Sequence, residues 1–454
     1  MTTDRRRNTK ETITEKPGNT TRVANWLTAA IIALVPFQGF LTVFGASLGA
    51  NYTLLRMWND IALVILFGIC LFWFIRDSAL RGRLKDSYIA LAVAVFAIVQ
   101  VCFMLRGLAL GTVGGSAALL GLALNIRGPM FLLCCIVLVK YSSWPIRRWL
   151  RTAFGSAIIV AAFAVLQFTV LPKDFLTHFG YASATILPYE TINSNESYLR
   201  FASTTRGVNP LGAYMAIMIP LLVALWVKLR PKITWSIVVA LMFGAMAVSF
   251  SRSAWIGCAV SLMYILALRL KTRKNWLWAG GIATAIAIIL GFSFAALSNS
   301  KMVQNVLLHT ESNSNIAEDS NDVRYSALRS TLHEVTHEPL GRGVGSAGPA
   351  SVHNTKAKPR MAENYFLQIT QETGWFGLFA YLAMLYVVGM QLWKLRDQKL
   401  AVGLFAAFIG VVVINMLSYA WTDDTLAFTW YGLAGLVLGT WVWHQEQSRD
   451  KING

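Results

Sequence analysis

Apolar runs of about twenty residues, separated by short polar connections, recur along nearly the whole chain, and that pattern reads as membrane-spanning helices. The runs fall near 24–45, 58–75, 88–105, 117–139, 152–171, 207–228, 233–250, 254–268, 276–297, 370–393, 401–420 and 426–443. The expected fold is an all-α polytopic membrane protein of about twelve transmembrane helices with one large polar loop. Inside that loop, Asp322 to His337 carries an apolar stripe at Val323, Ala327, Leu328, Leu332 and Val335, which predicts an amphipathic helix with Asp322 as its cap.

Charge placement orients this pattern, because connections rich in Lys and Arg stay on the cytoplasmic side. Counted from a cytoplasmic N-terminus, every even-to-odd connection is basic: Arg76, Arg81, Arg83 and Lys85; Arg147, Arg148 and Arg151; Lys228, Arg230 and Lys232; Arg269, Lys271, Arg273 and Lys274; Lys394, Arg396 and Lys399. Both termini are thus expected inside. The division is a disordered cytoplasmic tail over 1–22, nine spans over 23–297, an extracytoplasmic loop over 298–368, three spans over 369–444 and a cytoplasmic tail over 445–454. The 454 residues are 56% hydrophobic and 14% charged, and the net charge of +18 reads as topology and attraction to the anionic bilayer surface, which argues against nucleic acid as a partner. Arg5, Arg6 and Arg7 precede an apolar stretch too long for a signal-peptide core and without a cleavage site behind it. Cys70, Cys102, Cys134, Cys135 and Cys258 all fall inside spans without metal-ligand spacing, so no metal site and no cofactor is expected. The tryptophans, Trp421, Trp430, Trp441 and Trp443 among them, read as interfacial anchors.

Three arginines stand out on the expected outer side. Ser251-Arg252 separates two apolar runs, Arg206 opens another, and Arg324 lies near the start of the amphipathic helix. Charge placed at the bilayer rim suggests function, here three cations converging on one anionic substrate. Snorkelling to lipid head groups is the plainer reading of Arg252 and Arg206, and pairing with Asp319 or Asp322 on a solvated helix that of Arg324. Gly343, Gly345 and Gly348 spell G-x-G-x-x-G, but no strand precedes them and no helix pattern follows, so a closely packed turn is expected rather than a nucleotide site.

The segment Ala362-Glu363-Asn364-Tyr365-Phe366-Leu367-Gln368, followed by Glu372-Thr373-Gly374-Trp375-Phe376-Gly377-Leu378-Phe379, resembles the closing motif of the O-antigen ligase/polymerase membrane family. Arg206-Gly207-Val208-Asn209-Pro210-Leu211-Gly212, Ser251-Arg252-Ser253-Ala254 and His337-Glu338-Pro339-Leu340-Gly341 with Gly343 are similar in the same order, and the match covers roughly Arg200 to Leu385. The resemblance implies a metal-independent glycosyltransferase of the bacterial inner membrane, acting on its outer side on a glycan linked to undecaprenyl pyrophosphate, with a glycan or lipid as acceptor. Ligases of the family carry His-Asn where this chain has Glu363-Asn364, and polymerases vary there; His353-Asn354 supplies the dipeptide ten residues earlier.

Such a transfer needs a base at the acceptor hydroxyl and positive charge at the leaving group. Arg206, Arg252 and Arg324 are the expected pyrophosphate ligands, since guanidinium forks pair with phosphate oxygens and stay charged beside hydrocarbon. Glu363 is the expected general base, with His353 and His337 as substitutes, and Asp423 or Asp424 is expected to orient the acceptor. The competing reading is a secondary transporter, or a carrier of lipid-linked glycan without transfer chemistry. Arg127, inside the fourth span, is the residue that most favours it.

Overall fold

A computed structural model describes residues 18–192, 195–226, 233–270 and 320–453. The span expected at 276–297, the first part of the large loop at 298–319, the terminal arginines and the basic residues of 228–232 and 271–274 lie outside the described residues. Helices dominate: α1 (Asn19–Leu34), α2 (Gln38–Ser47), α3 (Tyr52–Arg76), α4 (Ser78–Lys85), α5 (Tyr88–Ala109), α6 (Gly115–Tyr141), α7 (Ile146–Thr169), α8 (Val208–Trp226), α9 (Ile233–Val248), α10 (Arg252–Ala267), α11 (Ser320–His337), α12 (Tyr365–Lys394), α13 (Lys399–Met416) and α14 (Asp424–Asn453). Between α7 and α8 a short antiparallel hairpin, β1 (Glu190–Ile192) with β2 (Asn195–Arg200), departs from the all-helical expectation.

Among the described residues nine helical segments are long and apolar enough to cross a membrane, α1 and α2 counting together as one, while α9 and α10 are shorter apolar helices of 16 residues. The protein is an all-α polytopic membrane protein. The 25 residues of α3 extend roughly 37 Å, ample for a hydrocarbon core about 30 Å thick. Several helices start where a side chain replaces the missing helical acceptor: Asn51 accepts from Leu54, Asp77 from Leu80, Ser87 from Ala90 and Asn364 from Leu367. Ile61, Val64, Ile65 and Phe67 of α3 and Leu91, Val95 and Ile98 of α5 are exposed, an apolar surface suited to lipid.

The most intimate helix pair is α6 with α14. A Cβ at Gly435 would lie 2.5 Å from the Leu132 carbonyl oxygen, and one at Gly432 would lie 2.4 Å from the Phe131 ring. Small residues let these backbones approach where no water drives association. Trp430 and Trp443 are buried here, donating their indole N–H groups to the carbonyls of Leu404 and Ile136, and Trp421 is buried beside Trp430. The expectation of interfacial anchoring fails for these three because helix packing claims their rings, and in Trp430 and Trp443 the indole donors as well.

The glycine-rich loop after α11 is likewise held by contact. Gly341, Gly343, Gly345 and Gly348 all have positive φ, and a Cβ at Gly345 would sit 2.2 Å from the Ala117 carbonyl oxygen. Glu372, fully buried in α12, accepts from the Gly345 amide and from Asn125 of α6, so one carboxylate pins loop and bundle together. Gly345→Ala should destabilise the protein by about 2–4 kcal/mol, combining left-handed strain with overpacking. The unfolding midpoint in a denaturing detergent titration measures it.

Candidate active site

Helix ends from all over the sequence meet at one end of the bundle, opposite the end that carries the basic connections Arg76 to Lys85, Arg147 to Arg151 and Lys394 to Lys399. There a cavity of about 530 Å³ is lined by Arg56, Arg206, Asn209, Ser253, His353, Glu363, Tyr419 and Asp423, with Leu120, Leu124, Ile414 and Leu426 as its apolar wall. A second cavity of about 410 Å³ adjoins it, and Arg56, Arg206 and Gly207 belong to both.

Arg206 is presented by a hydroxyl-rich turn. Ser203 donates to the Val160 carbonyl at 2.8 Å, Thr204 to the Pro36 carbonyl at 3.0 Å, and Thr205 to Ala202 and Gly207 at 2.7 and 3.0 Å. The three hydroxyls are buried partners of α7, of the break between α1 and α2, and of the turn itself, while Arg206 remains exposed at the cavity. Arg200 donates to the Asn209 side-chain oxygen at 2.8 Å and to the Ser249 carbonyl at 2.9 Å, tying the start of α8 to the turn before α10.

Glu363 has φ 50 and faces the cavity immediately before Asn364, which caps α12 and donates to the Met416 carbonyl at 2.9 Å. The helix cap is therefore Asn364, which leaves the Glu363 side chain to the cavity. A glutamate held in the left-handed region is a strained placement that the surrounding structure must enforce, as active sites often do. Tyr365 donates its amide to Ser418, so the Glu363 segment is stapled to the far end of α13.

Asp423 ends the turn Ala420–Thr422 and accepts from the Thr425 amide at 2.9 Å. Its position depends on Arg127, which is 4% exposed, ion-paired to Asp424 and to Asp60 at 3.8 Å, and hydrogen-bonded to the Thr422 carbonyl. Asp424 is thus committed to Arg127, and only Asp423 lines the cavity. Burial, reinforced by the negative charge of Asp424, raises the Asp423 pKa above its ordinary value, and Arg206 and Arg127 pull it only part of the way back. Arg127→Met strands two carboxylates and should cost about 3–5 kcal/mol, with partial recovery in Arg127→Met/Asp424→Asn, measured by thermal unfolding in detergent.

The remaining expected residues separate. His337 is exposed at the end of α11, hydrogen-bonded to His333 and stacked on it with ring centroids 4.1 Å apart, and is not brought to the cavity. Arg252 opens α10, but its neighbour Ser253, not Arg252, lines the cavity. Arg324 belongs to the first turns of α11, and its side chain lies outside the described residues. Asn354 is a loop staple, accepting from Gly114 and Lys356 and donating to Thr112. Gly341 and Gly374 pack on one another's strands of chain: a Cβ at Gly374 would lie 2.1 Å from the Pro339 carbonyl oxygen, and the positive φ of Gly374 kinks α12. Gly377 sits against Thr373, one turn on. Glu338, near His337, is drawn up by partial burial, but the hydrogen bond from Arg342 and the charge of Arg360 take its pKa below the ordinary value.

Arg56 is the cavity residue that sequence reading missed. It sits one turn into α3, where a charge beside an apolar run looks like an ordinary flank. Among the described residues no carboxylate lies within ion-pairing distance of Arg56 or Arg206, and each feels the charge of the other.

Residues 237–382 match the family model described as O-antigen ligase. This stretch is similar to the O-antigen ligase family. The matched segment runs from α9 to the middle of α12 and supplies Ser253, His353 and Glu363 to the cavity, while Arg56, Arg206 and Asp423 come from outside it. The match supports O-antigen ligase-type polysaccharide assembly, a glycan-transferring activity at a membrane. No curated protein matches the chain.

Proposed function

We propose that the protein is a membrane glycosyltransferase that transfers or polymerises glycan from an undecaprenyl-pyrophosphate donor during cell-surface polysaccharide assembly. The observation that carries this reading is one cavity holding two guanidinium groups without carboxylate partners among the described residues, together with Glu363, His353 and Asp423. The concentration of Lys and Arg at the opposite end of the helices supports a cavity on the outer side of the bacterial inner membrane with both termini inside.

In this mechanism Glu363 takes the proton of an acceptor hydroxyl, and the freed oxygen attacks the anomeric carbon of the donor glycan. The bond from that carbon to the phosphate oxygen breaks, and its electron pair leaves with undecaprenyl pyrophosphate. Arg206 and Arg56 bind the charge that develops there, in a setting of low dielectric where preorganised cations act strongly. This does the work a divalent cation does elsewhere, so turnover should persist in chelator. Asp423 orients the acceptor, and His353 is the alternative base. The carrier reading is weakened because Arg127 is committed to two aspartates and a backbone carbonyl.

The test is reconstitution into vesicles with an undecaprenyl-pyrophosphate oligosaccharide and candidate acceptors. Longer lipid-linked chains mark a polymerase, and glycan joined to a lipid or protein acceptor marks a ligase. Uptake into the vesicles without bond formation defeats the transferase reading. The raised pKa of Asp423 adds a pH signature: if its ionised form orients the acceptor, the rate falls on acidification at a higher pH than an ordinary aspartate near 3.9 would give. By linkage the same shift favours the folded state when Asp423 is protonated, and that stability is lost as pH rises through the folded-state pKa. Asp423→Asn should remove this acid limb from the pH–rate profile; an unchanged limb assigns it to another group.

A further inference from the structure

The second cavity shares Arg56 and Arg206 with the first but contains neither Glu363, His353 nor Asp423. It lies between α3, the start of α8 and the loop that leads into the hairpin, and Tyr52, Ser183, Tyr189 and Glu190 join Arg56 and Arg206 in its wall. At about 410 Å³ it is within the size range of small-ligand pockets, about 300–1,000 Å³. Unlike the first cavity, its wall is more polar than apolar.

The wall is built rather than accidental. Thr185 closes the loop by donating to the Gly180 carbonyl at 3.0 Å and accepting from the Ala182 amide at 3.0 Å, so Thr185 is spent on architecture. Glu190 is paired in register with Arg200, whose guanidinium lies 3.8 Å from it, and Arg200 in turn holds Asn209 of the first cavity. The Tyr189 ring lies 5.5 Å from the Lys173 ammonium, and Lys173 is bridged to Glu196 at 3.0 Å, which brackets the hairpin from outside. Two phenol rings, a serine hydroxyl and a carboxylate present flat apolar faces beside hydroxyl-directed acceptors. That combination suits a pyranose ring, which has apolar C–H faces and an equator of hydroxyl groups.

We propose that this cavity is a saccharide-binding subsite, in which Tyr52 and Tyr189 pack on a sugar ring and Glu190 accepts from its hydroxyls, next to the Arg56 and Arg206 pair. The inference rests on the glycosyl-transfer reading and adds the place where the glycan is read. The ring comes either from the glycan of the donor or from the glycan of the acceptor, and the two sources separate experimentally.

Lipid-free oligosaccharide fragments, released from the producing cell's own surface polysaccharide by partial acid hydrolysis, are titrated against the full-length protein in detergent or nanodiscs and followed by saturation-transfer NMR. Wild-type protein should bind them, and Tyr189→Ala and Glu190→Gln should each weaken binding about fivefold to tenfold, the size of one lost ring contact or net hydrogen bond. Glu190→Gln preserves shape but also removes the ion pair to Arg200, so an unchanged melting temperature is the control that separates lost binding from a folding effect. In turnover assays a rise in KM for the donor alone assigns the ring to the donor, and a rise for the acceptor alone assigns it to the acceptor. Failure of the wild-type protein to bind the fragments, or wild-type binding by both variants, overturns the subsite. Release of lipid pyrophosphate by the same preparation reports separately on whether glycosyl transfer itself occurs.

Discussion

Arg206→Ala should lower release of undecaprenyl pyrophosphate by about 10²–10³-fold, the usual loss when one preorganised group facing transition-state charge is removed. The fold should survive, since Arg206 is exposed and no carboxylate among the described residues is ion-paired to it. Arg127 is the contrast: it is equally cationic but internally paired, so its loss appears in stability. Arg206→Lys should recover only part of the rate, because a point charge cannot donate the paired hydrogen bonds of a guanidinium to a pyrophosphate. Arg56→Ala should behave like Arg206→Ala because both residues line both cavities. Single-turnover release of the radiolabelled lipid product, with expression and melting temperature as controls, measures each effect. Full activity in both alanine variants would remove the arginines from leaving-group stabilisation.

Glu363→Gln should lower the transfer rate by about 10²–10⁴-fold, the range attached to a positioned general base. Glutamine keeps the volume and the hydrogen-bonding reach but cannot take a proton. The left-handed backbone at Glu363 is held by the Asn364 cap and by the Tyr365 amide bond to Ser418, neither of which the substitution touches. Donor binding should therefore persist while polymer or ligated product disappears. If Glu363→Gln makes normal product, the base is elsewhere, and His353 is the next candidate on the same cavity wall.

The spans were legible because a bilayer imposes one crude rule, about twenty apolar residues at a time, and local sequence obeys it. The site was legible in part. Arg206, Asn209, His353, Glu363 and Asp423 converge across more than two hundred positions; Arg206 and Asp423 stand as polar groups where an apolar run begins or ends, and Asn209, His353 and Glu363 are found through the motifs of the resemblance. Arg56 gave the same signal more faintly. His337 carried it without reaching the cavity, since helix phase, invisible in a linear reading of a rim residue, decides which way a terminal side chain faces. The turn that presents Arg206 was hidden for another reason: Ser203, Thr204 and Thr205 look like an ordinary polar linker, and their hydroxyls acquire meaning only through carbonyls at Val160 and Pro36. The buried tryptophans failed for a similar cause, because tertiary donors and acceptors compete with the interface for the same indole ring.

The most direct measurement counts undecaprenyl pyrophosphate released against glycosidic bonds formed, using purified protein, a lipid-linked oligosaccharide and excess chelator. Equal numbers of the two, lost together in Arg206→Ala, are the predicted result. Bond formation that requires an added divalent cation, or glycan movement with no lipid pyrophosphate released, would contradict the account.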